Sequence, residues 1–98
     1  MSGTTPEGKV KKAVKKLLDA YKGVYRFCPV QAGFGEMTLD FLCCFNGRFF
    51  AVETKAAGKH LTLRQEGTVE KMLNAGAKVF IVDGDISELK EWLDDPAH

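Results

Sequence analysis

The sequence has no apolar run approaching the roughly 20 residues needed to cross a membrane. Its N-terminal segment MSGTTPEGKV also lacks the hydrophobic stretch of a secretory leader. A soluble, cytoplasmic protein is therefore expected. Net charge is nearly absent: 14 basic residues against 13 acidic leave +1, so the overall balance says nothing about a polyanionic partner. Cysteine is scarce and odd in number, with only Cys28, Cys43 and Cys44. Neighbouring strand residues point to opposite faces, so Cys43 and Cys44 cannot ligate one ion together. Buried free thiols in a reducing cytosol are the better reading than a disulfide or a zinc site. Repeats, low-complexity tracts and linkers are missing too, so the 98 residues read as a single domain spanning 1–98.

What is present is an ordinary globular composition, 45% hydrophobic and 28% charged. The charges are unevenly placed. Lys9, Lys11, Lys12, Lys15, Lys16 and Lys22 crowd the first quarter, whereas Glu88, Glu91, Asp94 and Asp95 close the chain. Such asymmetry points to one basic face.

A first helix is expected near TTPE. Thr4 with Glu7 fits a capping box, and Thr5 followed by Pro6 fits a start one residue later. Val10, Ala13, Val14, Leu17, Leu18 and Tyr21 then recur at helical spacing, with Gly23 as the stop. VYRFCPV (24–30) reads as a strand ending at Pro29, QAGFGEM as a loop. TLDFLCCF and RFFAVETK flank Asn46-Gly47, the strongest short hairpin signal. Thr62 with Gln65 forms a second capping box, for a helix that Gly76 ends. KVFIVDG is apolar enough to predict a strand buried on both faces. Asp85 with Glu88 opens a last helix carrying Leu89, Trp92 and Leu93. An antiparallel hairpin followed by strand, helical crossover and strand predicts a mixed sheet: an α/β fold of order αβββαβ with a C-terminal helix.

One feature of the hairpin is chemically unusual. A two-residue turn at Asn46-Gly47 pairs Phe45 with Arg48 and, continued residue by residue, Asp40 with Glu53. Two carboxylates then face each other at about 4.5–5.5 Å between Cβ atoms, a destabilising arrangement for like charges. Lys55 shares their face and pairs with Thr38. A hard divalent cation would remove the repulsion, since Mg²⁺ favours one or two carboxylates plus further oxygens; the Thr54 backbone carbonyl is a candidate for one of these. The alternative is an exposed strand end where Asp40, Glu53 and Lys55 form a solvated salt-bridge cluster. The apolar neighbours Phe41, Leu42, Ala51 and Val52 weigh against it.

An acidic residue on one strand and Glu-x-Lys on the next, within this element order, resembles the PD-(D/E)xK nuclease superfamily. More narrowly, AVETKAAGKHLTLRQEGTVEKMLNAGAKVFIVDG resembles the VRR-NUC (virus-type replication-repair nuclease) family, and the likeness runs from about Glu7 to Asp83. The resemblance implies a restriction-endonuclease-like core, Asp40 and Glu53 as metal-binding acids, Lys55 as the catalytic lysine, and Gln65 and Glu7 as the helix glutamine and first-helix glutamate. Glu7 and Gln65 each retain a capping role as the alternative. Leu39 stands where the motif name has proline, which puts the conformation entering the strand in doubt. His60, a lone loop histidine beside Lys59, is left outside the catalytic set.

The implied activity is Mg²⁺- or Mn²⁺-dependent hydrolysis of DNA phosphodiesters, leaving 5′-phosphate and 3′-hydroxyl ends. A structure-specific endonuclease acting on branched DNA such as four-way junctions is the expected form, reading shape rather than sequence. The first-helix lysines, Lys59 and Arg64 would track phosphates. A homodimer is expected both from the resemblance and from apolar residues, Phe34, Trp92 and Leu93 among them, that a small domain has difficulty covering. The competing reading is a non-catalytic nucleic-acid-binding or scaffolding domain that kept the fold.

Overall fold

The computed structural model describes residues 5–30 and 36–95. Its elements are α1 (Pro6–Asp19), β1 (Val24–Phe27), β2 (Phe41–Phe45), β3 (Arg48–Thr54), α2 (Leu63–Asn74), β4 (Lys78–Val82) and α3 (Ser87–Asp94). They run in the expected order, in one mixed sheet ordered β1-β2-β3-β4. β1/β2 and β2/β3 are antiparallel, and β3/β4 is parallel.

Local chemistry accounts for the boundaries. Of the two starts offered for α1, the later is adopted: the Thr5 hydroxyl accepts the Gly8 N–H at 3.0 Å and Pro6 occupies the first turn. Thr4, the other candidate cap, lies outside the described residues. Asn46 (φ 51°) and Gly47 (φ 80°) both take the left-handed conformation, as a type I′ hairpin turn requires. Just ahead of α3, the Asp85 carboxylate accepts the Ser87 N–H at 2.9 Å across Ile86, which occupies the N-cap position and makes no side-chain cap bond.

The strands are shorter than the apolar runs that predicted them. β1 stops at Phe27 rather than continuing to Pro29, and β2 starts at Phe41 rather than Thr38. Thr38 and Asp40 therefore precede the ladder, and the expected pairing of Thr38 with Lys55 does not form within it. A second correction concerns the sheet interior. β4 is an edge strand with Lys78 and Ile81 exposed, while β3, flanked on both sides, is buried from Phe50 to Thr54. Apolar content alone does not distinguish an edge strand packed on one face from a central one.

Val10, Val14 and Leu18 of α1 and Leu89 and Leu93 of α3 pack over one sheet face, against Phe41, Cys43, Phe50, Val52, Phe80 and Val82. Trp92 completes this layer, its ring centroid 4.9 Å from that of Phe50 and 5.6 Å from that of Phe80, with the Arg48 guanidinium 5.3 Å from its own. On the other face α2 approaches β4, and Met72 and Ala75 at its C-terminal end border a hollow with Phe49. Tyr25, Phe27 and Phe49 remain exposed there. The cysteines are free: Cys43 is buried, its thiol pushed up to about 12 chiefly by that burial, and Cys28 is half-buried. Cys44 is exposed, contrary to expectation, because alternation turns it to the open face.

Candidate active site

The C-terminal end of β3 carries an uncommon run of buried polar residues: Glu53, Thr54 and Lys55 are 2%, 0% and 8% exposed. Because β3 is the inner strand between β2 and β4, its end lies under neighbours on both sides. Alternation from Val52 in the core places Thr54 on the core face, and Glu53 and Lys55 on the face crossed by α2. The Lys55 N–H donates to the Val82 carbonyl at 2.8 Å, which carries the strand geometry one residue beyond β3.

Asp40 sits one step before β2, where the hairpin register places it opposite Glu53. The two meet through a backbone-to-side-chain bond, the Asp40 N–H donating to Glu53 Oε1 at 3.1 Å. The Asp40 carboxylate turns across the end of β3. Its Oδ2 accepts the Thr54 N–H at 3.0 Å and the Thr54 hydroxyl at 2.6 Å, and Lys11 Nζ of α1 lies 3.8 Å from Oδ1.

Glu53 Oε2 accepts from Gln65 Nε2 at 2.8 Å and lies 3.8 Å from Lys55 Nζ. Gln65 also accepts the Thr62 N–H at 2.9 Å, while its own N–H donates to the Thr62 hydroxyl at 3.1 Å. Capping and contact with the buried acid, alternatives on the sequence, are thus made together by opposite ends of one amide. Glu7 is exposed in the first turn of α1. It is close enough for its charge to act on Glu53. His60, Lys59 and Arg64 are exposed, and Arg64 lines a groove with Glu36, Gly67 and Lys71.

Electrostatics mark Glu53 as the strained member. Burial, followed by the charge of Asp40, pushes its carboxyl up to about 7; the Asp40 N–H and Lys55 pull the other way, and Glu7 adds to the rise. A cation placed against both carboxylates would reverse that balance. Among the described residues no three His, Cys, Asp or Glu side chains converge. A bound ion would therefore rely on two carboxylates supplemented by backbone oxygen or water, a donor set of the hard kind that Mg²⁺ accepts.

Two contacts of the site have little or no signature in the sequence. By composition Lys11 is one of several first-helix lysines suited to phosphate, although its place four residues after Glu7 sets both on one side of α1. The Thr54 hydroxyl had no signal beyond alternation, since what it meets depends on how Asp40 bends.

No family model and no curated protein matches the sequence. Among solved structures, one described as a "VRR_NUC domain" superposes with a TM-score of 0.71 at 23% identity, covering 94% of this chain and 98% of that chain. The chain thus shares, over nearly its whole length, the fold of that VRR_NUC domain.

Proposed function

We propose that the protein is a Mg²⁺- or Mn²⁺-dependent DNA nuclease. The observation that carries this reading is the convergence of Asp40, Glu53, Lys55 and Gln65 at one buried strand end, where a purely structural role would favour apolar side chains. Asp40, Glu53 and the Thr54 carbonyl would hold the ion. What Mg²⁺ or Mn²⁺ supplies when bound is Lewis acidity, lowering the pKa of a water and polarising the scissile phosphate. Lys55 orients the attacking water and offsets negative charge growing on the phosphoryl oxygens. Its placement is tight, because the side chain is buried beside Glu53. Gln65 keeps Glu53 turned into the site, and Glu7 lies at its rim to bind a second ion or a water.

The DNA backbone follows exposed basic residues on two sides. Lys12, Lys15 and Lys16 share a shallow groove on α1, and Arg64 and Lys71 line the α2 groove. Such contacts position a phosphate backbone without reading bases. Branched DNA, four-way junctions in particular, is the proposed substrate.

A homodimer is part of the proposal, but the residues first expected to drive it are replaced. Leu93 is in the core, Trp92 is half-buried against Phe50 and Phe80, and Phe34 lies outside the described residues. Support comes instead from Tyr25, Phe27 and Phe49, which are 68%, 52% and 45% exposed and border one apolar hollow with Leu42 and Cys44. An uncharged face of this kind suits a second protein surface better than a polyanion.

The test is a panel of four-way junction, flap, nicked and linear duplex DNA incubated with Mg²⁺, Mn²⁺ or chelator. Metal-dependent cleavage with preference for branched substrates is expected. Binding without cleavage under every condition would favour the scaffolding reading.

A further inference from the structure

We infer that the Thr54 side chain is a positioning residue, selecting the oxygen with which Asp40 meets a divalent cation. The inference rests on the metal-dependent reading above and concerns a group that reading does not use, the Thr54 hydroxyl.

Asp40 lies outside the β2/β3 ladder, so no strand hydrogen bonding fixes the approach of its carboxylate. Thr54 supplies that restraint twice, through its N–H at 3.0 Å and its hydroxyl at 2.6 Å, both to Oδ2. Rotation of the carboxylate would break both bonds. Oδ2 is thereby committed to the protein, and Oδ1 remains as the oxygen presented to a cation. Lys11 Nζ approaches that same Oδ1, at 3.8 Å.

Packing does not account for the hydroxyl. Position 54 is fully buried in the central strand between β2 and β4, on the face occupied by Val52 and Val82. A β-branched residue suits it, and valine would fill the same shape without a polar atom to satisfy. A buried hydroxyl costs free energy unless bonded. Here its partner is a carboxylate of the candidate site, the kind of outer contact that orients a metal ligand and, when removed, typically lowers metal affinity by 10–100-fold.

Mn²⁺ binding to the full-length protein without DNA, followed by electron paramagnetic resonance of free Mn²⁺, separates the possibilities. Thr54→Val and Thr54→Ala should each weaken binding about tenfold, while Thr54→Ser, which restores the hydroxyl, stays within about threefold of wild type. Melting curves in chelator identify which variants are folded, and Thr54→Ala against Thr54→Ser decides the matter if the valine variant does not fold. Equal Mn²⁺ affinity in folded Thr54→Ala and wild type would overturn the positioning role while leaving the nuclease reading intact. Failure of Thr54→Ser to restore affinity would overturn it as well. Absence of Mn²⁺ binding by wild type would remove both.

Discussion

Gln65 and Glu53 are joined by a 2.8 Å bond from Nε2 to Oε2, while the other end of the same amide accepts the N–H of Thr62 and closes the first turn of α2. One side chain thus ties the start of a helix to a buried acid on the central strand. The two roles separate by mutation. Thr62→Ala removes the cap hydroxyl but not the Gln65–Glu53 bond, so it should cost about 1 kcal/mol of stability and leave cleavage nearly unchanged. Gln65→Ala should match that loss and also lower single-turnover cleavage by about 10-fold or more. Equal activity of the two variants would assign Gln65 to capping alone.

Lys55→Ala should lower the cleavage rate by about 10²-fold or more, with DNA affinity within a few-fold of wild type and an unchanged circular dichroism spectrum. Lys55→Arg should not restore activity, because a planar guanidinium does not replace a compact ammonium in a site only 8% exposed. Near-wild-type cutting by Lys55→Ala would remove the lysine from the chemistry.

The raised Glu53 carboxyl carries a stability signature with a definite sign. Folded Glu53 holds its proton up to about pH 7, whereas the unfolded chain releases it near its ordinary value of 4.5. The folded state binds more protons in between, so on this account metal-free stability falls as pH rises from about 4.5 to about 7 and is lowest above it. Glu53→Gln removes the ionisation. In chelator it should melt about 5 °C above wild type near pH 8 and level with it near pH 4.5. The same protonation makes Mn²⁺ binding by wild type release a proton below about pH 7, measurable by calorimetry in buffers of different ionisation enthalpy. A Glu53→Gln difference independent of pH would mean that Glu53 is ionised throughout.

For the exposed apolar face, light scattering at tens of micromolar should give a dimer for wild type and a monomer for Phe27→Glu, with unchanged secondary structure. Phe27 is on edge strand β1, 52% exposed, so a charge there costs the monomer little and an apolar interface much. Monomeric wild type would remove the homodimer from the proposal.

Much of the architecture follows from local rules that a sequence displays directly. Thr5-Pro6, Asn46-Gly47 and Thr62 with Gln65 mark α1, the hairpin and α2 through short-range backbone chemistry, and each is realised. The turn in particular determines the register, because side chains on a strand alternate with a period of two; that register is what brings Asp40 opposite Glu53. The order of strands and crossover likewise dictates the mixed sheet.

Other features depend on which surfaces meet, and no local pattern carries that. KVFIV reads as a strand covered on both faces, yet β4 lies at the edge with Ile81 exposed, since apolar residues do not record how many neighbours the strand will find. Leu93 and Trp92 resemble surplus apolar surface until α3 folds onto Phe50 and Phe80. Asp40 and Glu53 are identifiable in the sequence as a facing pair, but their partners are not. Lys11 comes from α1, Gln65 from α2 and Thr54 from the core side of β3, three elements that converge only once the sheet is packed on both faces. Backbone periodicity decides which residues share a face, whereas burial and hydrogen-bond partners arise between distant segments and exist only in the tertiary structure.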